Sequence, residues 1–316
     1  MKVLANDGIS PNGVEELQAA GFEVSTINVA QEQLENYINN ENITVLLVRS
    51  ATKVRQPLID ACPSLKIIGR GGVGMDNIDV DYARSKGLHV INTPAASSAS
   101  VAELVFAHLF SGVRFLYDAN RNMPLEGDSK FKVLKKAYAK GTELRGKTLG
   151  VIGFGRIGQA AAKIGLGLGM KVIAHDPFMD NARVEVSFFD GQSVSFDIEI
   201  LSKNEVLQQA DFVTLHVPAQ KEFVIGKTEL DMMKDGAGLV NAARGGVVDE
   251  VALLEALNSG KLAFAGVDTF ENEPKPAVQV LMHPKVSLTP HIGAATSQAQ
   301  ERIGSELATQ IISILS

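Results

Sequence analysis

Gly153-Phe154-Gly155-Arg156-Ile157-Gly158 is the stretch on which the fold turns. It follows an apolar run, Thr148 to Ile152, and opens a segment of helical period from Arg156 to Leu168. A second apolar run, Lys171 to Ala174, leads to Asp176, 23 positions after Gly153. A Gly-x-Gly-x-x-Gly match alone is weak. With a strand before it, a helix after it and an acid closing the next strand, it is the fingerprint of a dinucleotide site, where glycines permit a tight turn, close approach to pyrophosphate and close helix–strand packing. Asp176 suits ribose hydroxyls and would repel a 2′-phosphate, so the pattern favours NAD over NADP. Gly153, Gly155, Arg156, Ile157, Gly158 and Asp176 are the cofactor contacts expected here.

The same spacing occurs at Gly69-Arg70-Gly71-Gly72-Val73-Gly74, which leads into Met75-Asp76-Asn77-Ile78-Asp79. Those carboxylates would repel a pyrophosphate, and the next strand ends at Asn92 rather than at an acid. This match is rejected as a dinucleotide site. Its glycines read instead as a place where backbone amides approach a small anion.

Outward from the fingerprint, short apolar runs alternate with helical segments along most of the chain, the pattern of α/β architecture with parallel sheets. The first series comprises Lys2 to Ala5, Phe22 to Ile27, Thr44 to Val48, Lys66 to Ile68 and Leu88 to Ile91. The second comprises Thr148 to Ile152, Lys171 to Ala174, Phe212 to Val217, Gly238 to Ala242, Leu262 to Val267 and Val286 to Leu288. A long helix is expected from about Ser98 to Asn120, then a polar, lysine-rich connection over 127–140, and a closing helix from Ala295 to Leu315 that returns to the first domain. The expected fold is two doubly wound parallel-sheet domains, a Rossmann domain (100–289) inserted in a flavodoxin-like one (1–99 with 290–316). Val184 to Ile198 breaks the rhythm and reads as a hairpin around Asp190-Gly191, either a surface decoration or a subunit or lid contact.

The 316 residues suffice for two cores, and 45% apolar with 21% charged residues excludes a disordered chain. A net charge of −6 lacks the basic field that nucleic acid or an anionic membrane would require. The start, Met1 to Asp7, meets an acid before a signal-peptide core can form, and Glu103, His108 and Arg114 interrupt the most apolar helix. Neither export nor a membrane span is expected. One cysteine, Cys62, excludes an internal disulfide and any thiolate metal cluster, and a cytoplasmic location follows as the expectation.

Of six histidines, His89, His108 and His283 stand in structural contexts, and none has metal-ligand spacing, so no metal is expected. His216 ends an apolar strand before Pro218, where it either lines a cofactor crevice or is merely polar. His291 follows Thr289-Pro290 and precedes Ile292-Gly293, at a strand-to-helix turn that is a common active-site position. Arg244 likewise follows a strand, and Glu273 lies in the turn Glu271-Asn272-Glu273-Pro274. By spacing alone the three are only suggestive.

Val48 to Val54, Gly69 to Asp79, Asn92-Thr93-Pro94, Gly141 to Leu144, the fingerprint, Ala243 to Glu250, Val267 to Pro274 and Pro290 to Ala294 together resemble the D-isomer-specific 2-hydroxyacid dehydrogenases over nearly the whole chain. The resemblance implies a catalytic set of Arg244, Glu273 and His291, and adds His216, Pro218, Ala242 and Asp268 to the cofactor contacts. It implies that substrate is gripped by Arg49, Ser50, Gly72 and Val73 together with Arg244, that a cleft closes over it, and that the protein is a homodimer acting on a small molecule. The Arg49 segment is similar to that of members oxidising 3-phosphoglycerate. Hydroxypyruvate or glyoxylate reduction, and a corepressor-like NAD sensor, stay open as alternatives. Two features depart from the family: the 127–140 connection is longer, so the lysine there that meets a phosphate, Lys136 among others, is unassigned, and the hairpin is extra. The chain closes at Ser316 without the regulatory domain of longer members, so serine feedback is not expected.

Overall fold

The computed structural model describes residues 1–315. The described residues form two compact units, 1–100 with 294–315, and 101–293.

In the first unit, β1 (Lys2–Ala5), α1 (Pro11–Ala19), β2 (Glu23–Ser25), α2 (Leu34–Glu41), β3 (Ile43–Val48), α3 (Gln56–Ala61), β4 (Ile67–Arg70), α4 (Val80–Ser85) and β5 (His89–Asn92) alternate. The sheet has the order β2-β1-β3-β4-β5, all parallel, which is the flavodoxin-like order. Apolar clusters cover both faces, one built on Leu4, Leu46 and Ile68, the other on Val3, Val45 and Ile67, so neighbours along each strand alternate between two cores.

Next comes α5 (Ser98–Val113), followed by α6 (Leu116–Glu126) and α7 (Phe131–Ala137). The single long helix expected here is therefore broken. Phe115 is left-handed (φ 57°), and the Thr142 amide, arriving from the returning chain, donates to the Val113 carbonyl at 3.0 Å. The 127–140 connection is partly helical, pinned where the Tyr138 hydroxyl donates to Asp118 at 2.8 Å and Asn122 donates to that hydroxyl at 3.0 Å. Among the described residues no single helix is long and apolar enough to cross a membrane.

The second unit continues with β6 (Thr148–Ile152), α8 (Arg156–Gly167), β7 (Lys171–His175), β8 (Ala182–Ser187), β9 (Ser193–Ile200), α9 (Lys203–Gln209), β10 (Phe212–Leu215), α10 (Lys227–Met232), β11 (Ala237–Asn241), α11 (Glu250–Ser259), β12 (Leu262–Val267), α12 (Val278–Met282) and β13 (Val286–Leu288). Its sheet has the order β13-β12-β11-β10-β6-β7-β9-β8. The hairpin is no mere decoration: β9 pairs in parallel with β7 at Ile173↔Glu199 and Ala174↔Ile200, taking the place of the third strand in the Rossmann order 3-2-1-4-5-6. Residues Ser193 to Phe196 reach past the amino end of β7, so the tip, with Phe188 and Phe189 exposed, leaves the sheet opposite to the glycine turn and cannot serve as a lid there.

The closing helix α13 (Ser297–Leu315) packs on α1 so closely that a Cβ on Gly13 would lie 2.8 Å from the Gly304 Cα. Residues 290–293, expected with the first unit, belong to the second, where the His291, Ile292 and Gly293 amides donate to Asp268.

Candidate active site

In open parallel sheets ligands gather outside the carboxyl ends of the strands, at the point where strand order reverses. In the second unit that point lies between β6 and β10, with the fingerprint after one and His216 after the other. The three glycines there have three different environments. Gly153 is left-handed (φ 89°), its amide donating to the His175 carbonyl at 2.8 Å. A Cβ on Gly158 would lie 2.2 Å from the Gly153 carbonyl oxygen, so α8 can approach the turn only because that side chain is missing. A Cβ on Gly155 would meet nothing within 4 Å. Gly155 is thus not required by packing inside the unit; its bare, exposed amide at the start of α8 fits a pyrophosphate. Asp176 accepts from the Phe154 and Phe178 amides at 2.8 and 3.0 Å, which aims its half-buried carboxylate at the same turn.

His216 faces Thr214 Oγ1 at 3.1 Å through Nε2, while Nδ1 is covered and has no hydrogen-bond partner. Burial pushes its pKa down to about 3, so the ring is neutral and cannot serve as a cation. Pro218 is exposed and Ala242 buried on either side of this edge.

β11, β12 and β13 are neighbours, and their carboxyl ends deliver Arg244, Glu273 and His291 in turn. His291 Nδ1 lies 2.8 Å from Glu273 Oε2, and the other carboxylate oxygen accepts the Phe270 amide at 3.0 Å. Both side chains are about one-third exposed, leaving the pair oriented yet open to a ligand. The Arg244 guanidinium donates to the Ala243 carbonyl at 2.7 Å, and a Cβ on the next residue, Gly245, would lie 1.8 Å from the Phe270 carbonyl oxygen. The arginine loop is therefore pressed directly on the turn that carries Glu273.

Asp268 is turned into the protein. Expected among the cofactor contacts, it is 1% exposed, and its carboxylate accepts the Thr289 hydroxyl (2.6 Å) and the Ile292 (2.8 Å) and Gly293 (2.9 Å) amides, while its own carbonyl accepts the His291 amide at 2.8 Å. It holds His291 in a left-handed conformation (φ 54°) that few side chains adopt without support. His108 extends the network, with ring nitrogens 2.9 Å from Ser287 Oγ and 3.0 Å from Thr289 Oγ1.

In the first unit, Arg49, Ser50, Gly72 and Val73 follow β3 and β4 at the carboxyl edge of their own sheet. Residues missed from sequence fix this loop. Asp7 accepts the Arg49 amide (2.6 Å), the Thr52 amide (3.1 Å) and the Thr52 hydroxyl (2.7 Å), and Asn77 donates to the Arg49 and Thr52 carbonyls. Asp7, directly after β1, had a signal: an acid at a strand's carboxyl end. The amides of Gly71 and Gly72, expected to meet an anion, donate to the Val48 and Arg70 carbonyls at 2.9 Å each. A Cβ on Gly72 would lie 1.7 Å from the Arg70 guanidinium, which lies against that backbone. Among the described residues no three His, Cys, Asp or Glu side chains gather as a metal site.

A model of the NAD binding domain of D-isomer specific 2-hydroxyacid dehydrogenases matches residues 106–293. The chain belongs to this family. It is 41% identical, over its whole length, to D-3-phosphoglycerate dehydrogenase of Methanocaldococcus jannaschii, of which it spans 57%. It is 42% identical over 92% of its length to hydroxypyruvate reductase of Thermotoga maritima, spanning 90% of that protein. Among solved structures, D-lactate dehydrogenase of Aquifex aeolicus, complexed with NAD and lactic acid, superposes with a TM-score of 0.75 at 30% identity, over 100% of this chain and 95% of the other. The second unit is accordingly the family's NAD-binding domain, and the open face of Gly155 beside Asp176 fits that cofactor.

Proposed function

We propose that the protein is an NAD-dependent 3-phospho-D-glycerate dehydrogenase, forming 3-phosphohydroxypyruvate at the first step of serine biosynthesis. NAD, when bound, accepts the hydride from C2. His291 Nε2 takes the hydroxyl proton as that bond breaks, while Glu273 holds Nδ1 and stabilises the imidazolium that results. In the reverse direction the same imidazolium protonates the carbonyl oxygen. Arg244 presents a planar fork to the substrate carboxylate and polarises the reacting oxygen. The substrate carries a second anion, the phosphate, and the observation that carries this reading is Arg49, a half-buried cation whose backbone is held in place by Asp7 and Asn77. Ser50 and the Val73 backbone complete that grip. The homodimer contact is assigned to α5 to α7, which expose the apolar side chains Phe110, Leu116, Met123, Leu125 and Phe131.

A second reading, hydroxypyruvate or glyoxylate reduction, is favoured by the near-complete span of the Thermotoga relative. NADH consumption with 3-phosphohydroxypyruvate, hydroxypyruvate and glyoxylate decides between them. Highest kcat/KM is expected on the phosphorylated acid, with Arg49→Ala costing about ten- to a hundredfold there, the worth of one charge-assisted contact, and distinctly less on glyoxylate. A preference for either small acid establishes the second reading, and no turnover on any of them would point to a nucleotide sensor.

A further inference from the structure

Outside the Arg244, Glu273 and His291 set, two glutamates accept each other's backbone N–H. The Glu250 amide donates to Glu271 Oε1 at 2.8 Å, and the Glu271 amide donates to Glu250 Oε1 at 2.9 Å. Helix capping explains only the first of these bonds. Asp249 accepts from the Val251 and Ala252 amides at 2.9 and 3.0 Å, and Glu271 takes the remaining amide of the first turn of α11, so the helix start is satisfied without the Glu250 side chain. That side chain is nonetheless turned inward, 7% exposed, beside a second carboxylate, an arrangement that opposes its ionisation and is costly to keep for packing alone.

What the Glu250 carboxylate touches is the root of the turn that carries Glu273. Two residues beyond the Glu271 amide, Glu273 reaches back to the Phe270 amide with one oxygen and to His291 Nδ1 with the other. The turn has a second contact with the same loop, because Gly245 lies directly under the Phe270 carbonyl. Residues 244 to 250 therefore hold the 270–273 turn at both of their ends, with Arg244 beside one and Glu250 forming the other.

We propose that Glu250 is a positioning residue: by accepting the Glu271 amide it fixes the turn from which Glu273 orients His291. The inference rests on the reading of Glu273 and His291 as the acid–base pair. It predicts that the acceptor atom, rather than the volume of the side chain, is what matters.

Glu250→Met keeps length and apolar bulk but cannot accept; Glu250→Gln keeps an acceptor. In Glu250→Met we expect kcat to fall by about three- to thirtyfold, within the roughly 100-fold that an ångström of misplacement can cost, with KM for the keto acid within about twofold. A carboxylate held less well stabilises imidazolium less. The acid limb of kcat/KM for hydroxy-acid oxidation, which reports neutral His291, should then move down by about half a pH unit or more, against the one to three units a well-placed opposite charge supplies. Glu250→Gln should recover most of kcat and the original limb. NADH fluorescence titration verifies folding, and Glu250→Ala replaces Glu250→Met if the latter does not bind nucleotide. Equal behaviour of the Met and Gln variants, or lowered kcat with an unmoved limb, overturns the proposal. His291→Asn separates it from the reading beneath: near-normal turnover there removes both, whereas lost turnover there with an unaltered Glu250→Met removes only the role of Glu250.

Discussion

Replacing Asp268 by Asn tests whether this residue serves the cofactor or the His291 turn. The side chain keeps its shape, but one of its two acceptor atoms becomes a donor. If the amide group faces Gly293, the 2.9 Å bond from that N–H becomes a donor–donor contact; if it faces the other way, both the Thr289 hydroxyl and the Ile292 amide lose their acceptor. The first orientation is the less costly and forfeits one hydrogen bond to a charged acceptor, about 1.5–3 kcal/mol. For a unit of this size that corresponds to a fall in Tm of about 3–10 °C. The functional effect should be larger, because the lost bond supports the turn that holds His291 at φ 54°. A displacement of that turn by a fraction of an ångström should lower kcat by about 10- to 100-fold. Differential scanning fluorimetry, steady-state NADH kinetics and NADH fluorescence titration measure the three quantities separately. Nucleotide affinity should change by less than about twofold. Weakened NADH binding with kcat intact would refute the reasoning and return Asp268 to the cofactor contacts.

The fingerprint glycines should separate by role. Gly158→Ala places a Cβ 2.2 Å from the Gly153 carbonyl and should destabilise the second unit by about 2 kcal/mol or more, whereas Gly155→Ala, with open space, should leave Tm nearly unchanged and weaken NADH binding; equal Tm losses would contradict the assignment. Asp176→Ser should raise kcat/KM with NADPH relative to NADH by about tenfold or more, and an unchanged ratio would show that the carboxylate does not face the ribose. His216 has a folded pKa near 3 against an ordinary 6.5, so the unfolded chain binds the extra proton first. Its contribution is fully present above about pH 6.5 and is lost as pH falls toward 3, by up to about 1.4 kcal/mol per unit. A His216→Asn variant should therefore show a flatter urea-denaturation profile between pH 6 and 4, and an unchanged slope would place the imidazole in solvent.

The parts of this fold that were legible in the sequence are those whose cause is local. The glycine turn, its flanking strand and helix and Asp176 all lie within 29 residues, and each reports a backbone requirement that its neighbours share. The strand rhythm was legible for the same reason, and the Asp190-Gly191 turn correctly marked a hairpin. What the turn could not report is the partner of β9. Pairing with β7 is decided by a sheet edge formed elsewhere in the chain, so an element that looked like an interruption occupies the third-strand position. Phe115 was illegible for a related reason: nothing in its own helix breaks the period, and the capping amide comes from Thr142.

The site shows the same division within a single residue type. Glu273 and His291 stand in turns after strands, where chemistry is commonly found, and the contact between them follows once β12 and β13 are neighbours. Asp268 and Glu250 also stand at strand ends or helix starts, and nothing in their local sequence distinguishes an acid that would meet a ligand from one that holds a loop. The distinction lies in how far the folded chain encloses each carboxylate. Asp268 is enclosed by three donors from residues 289–293 and Glu250 by an amide 21 positions away, so both are occupied by the protein itself. Asp176 also accepts a distant amide, that of Phe154, along with the nearby Phe178 amide, yet it stays half-exposed, and the Glu273–His291 pair stays one-third exposed. Among acids at the carboxyl edge of such a sheet, a buried carboxylate saturated by the protein's own donors supports the site, and one left partly open is available to ligand or proton. In the first unit Asp7 is only half-buried, but three donors from Arg49 and Thr52, more than 40 positions away, take its oxygens and make it the holder of the loop that presents Arg49.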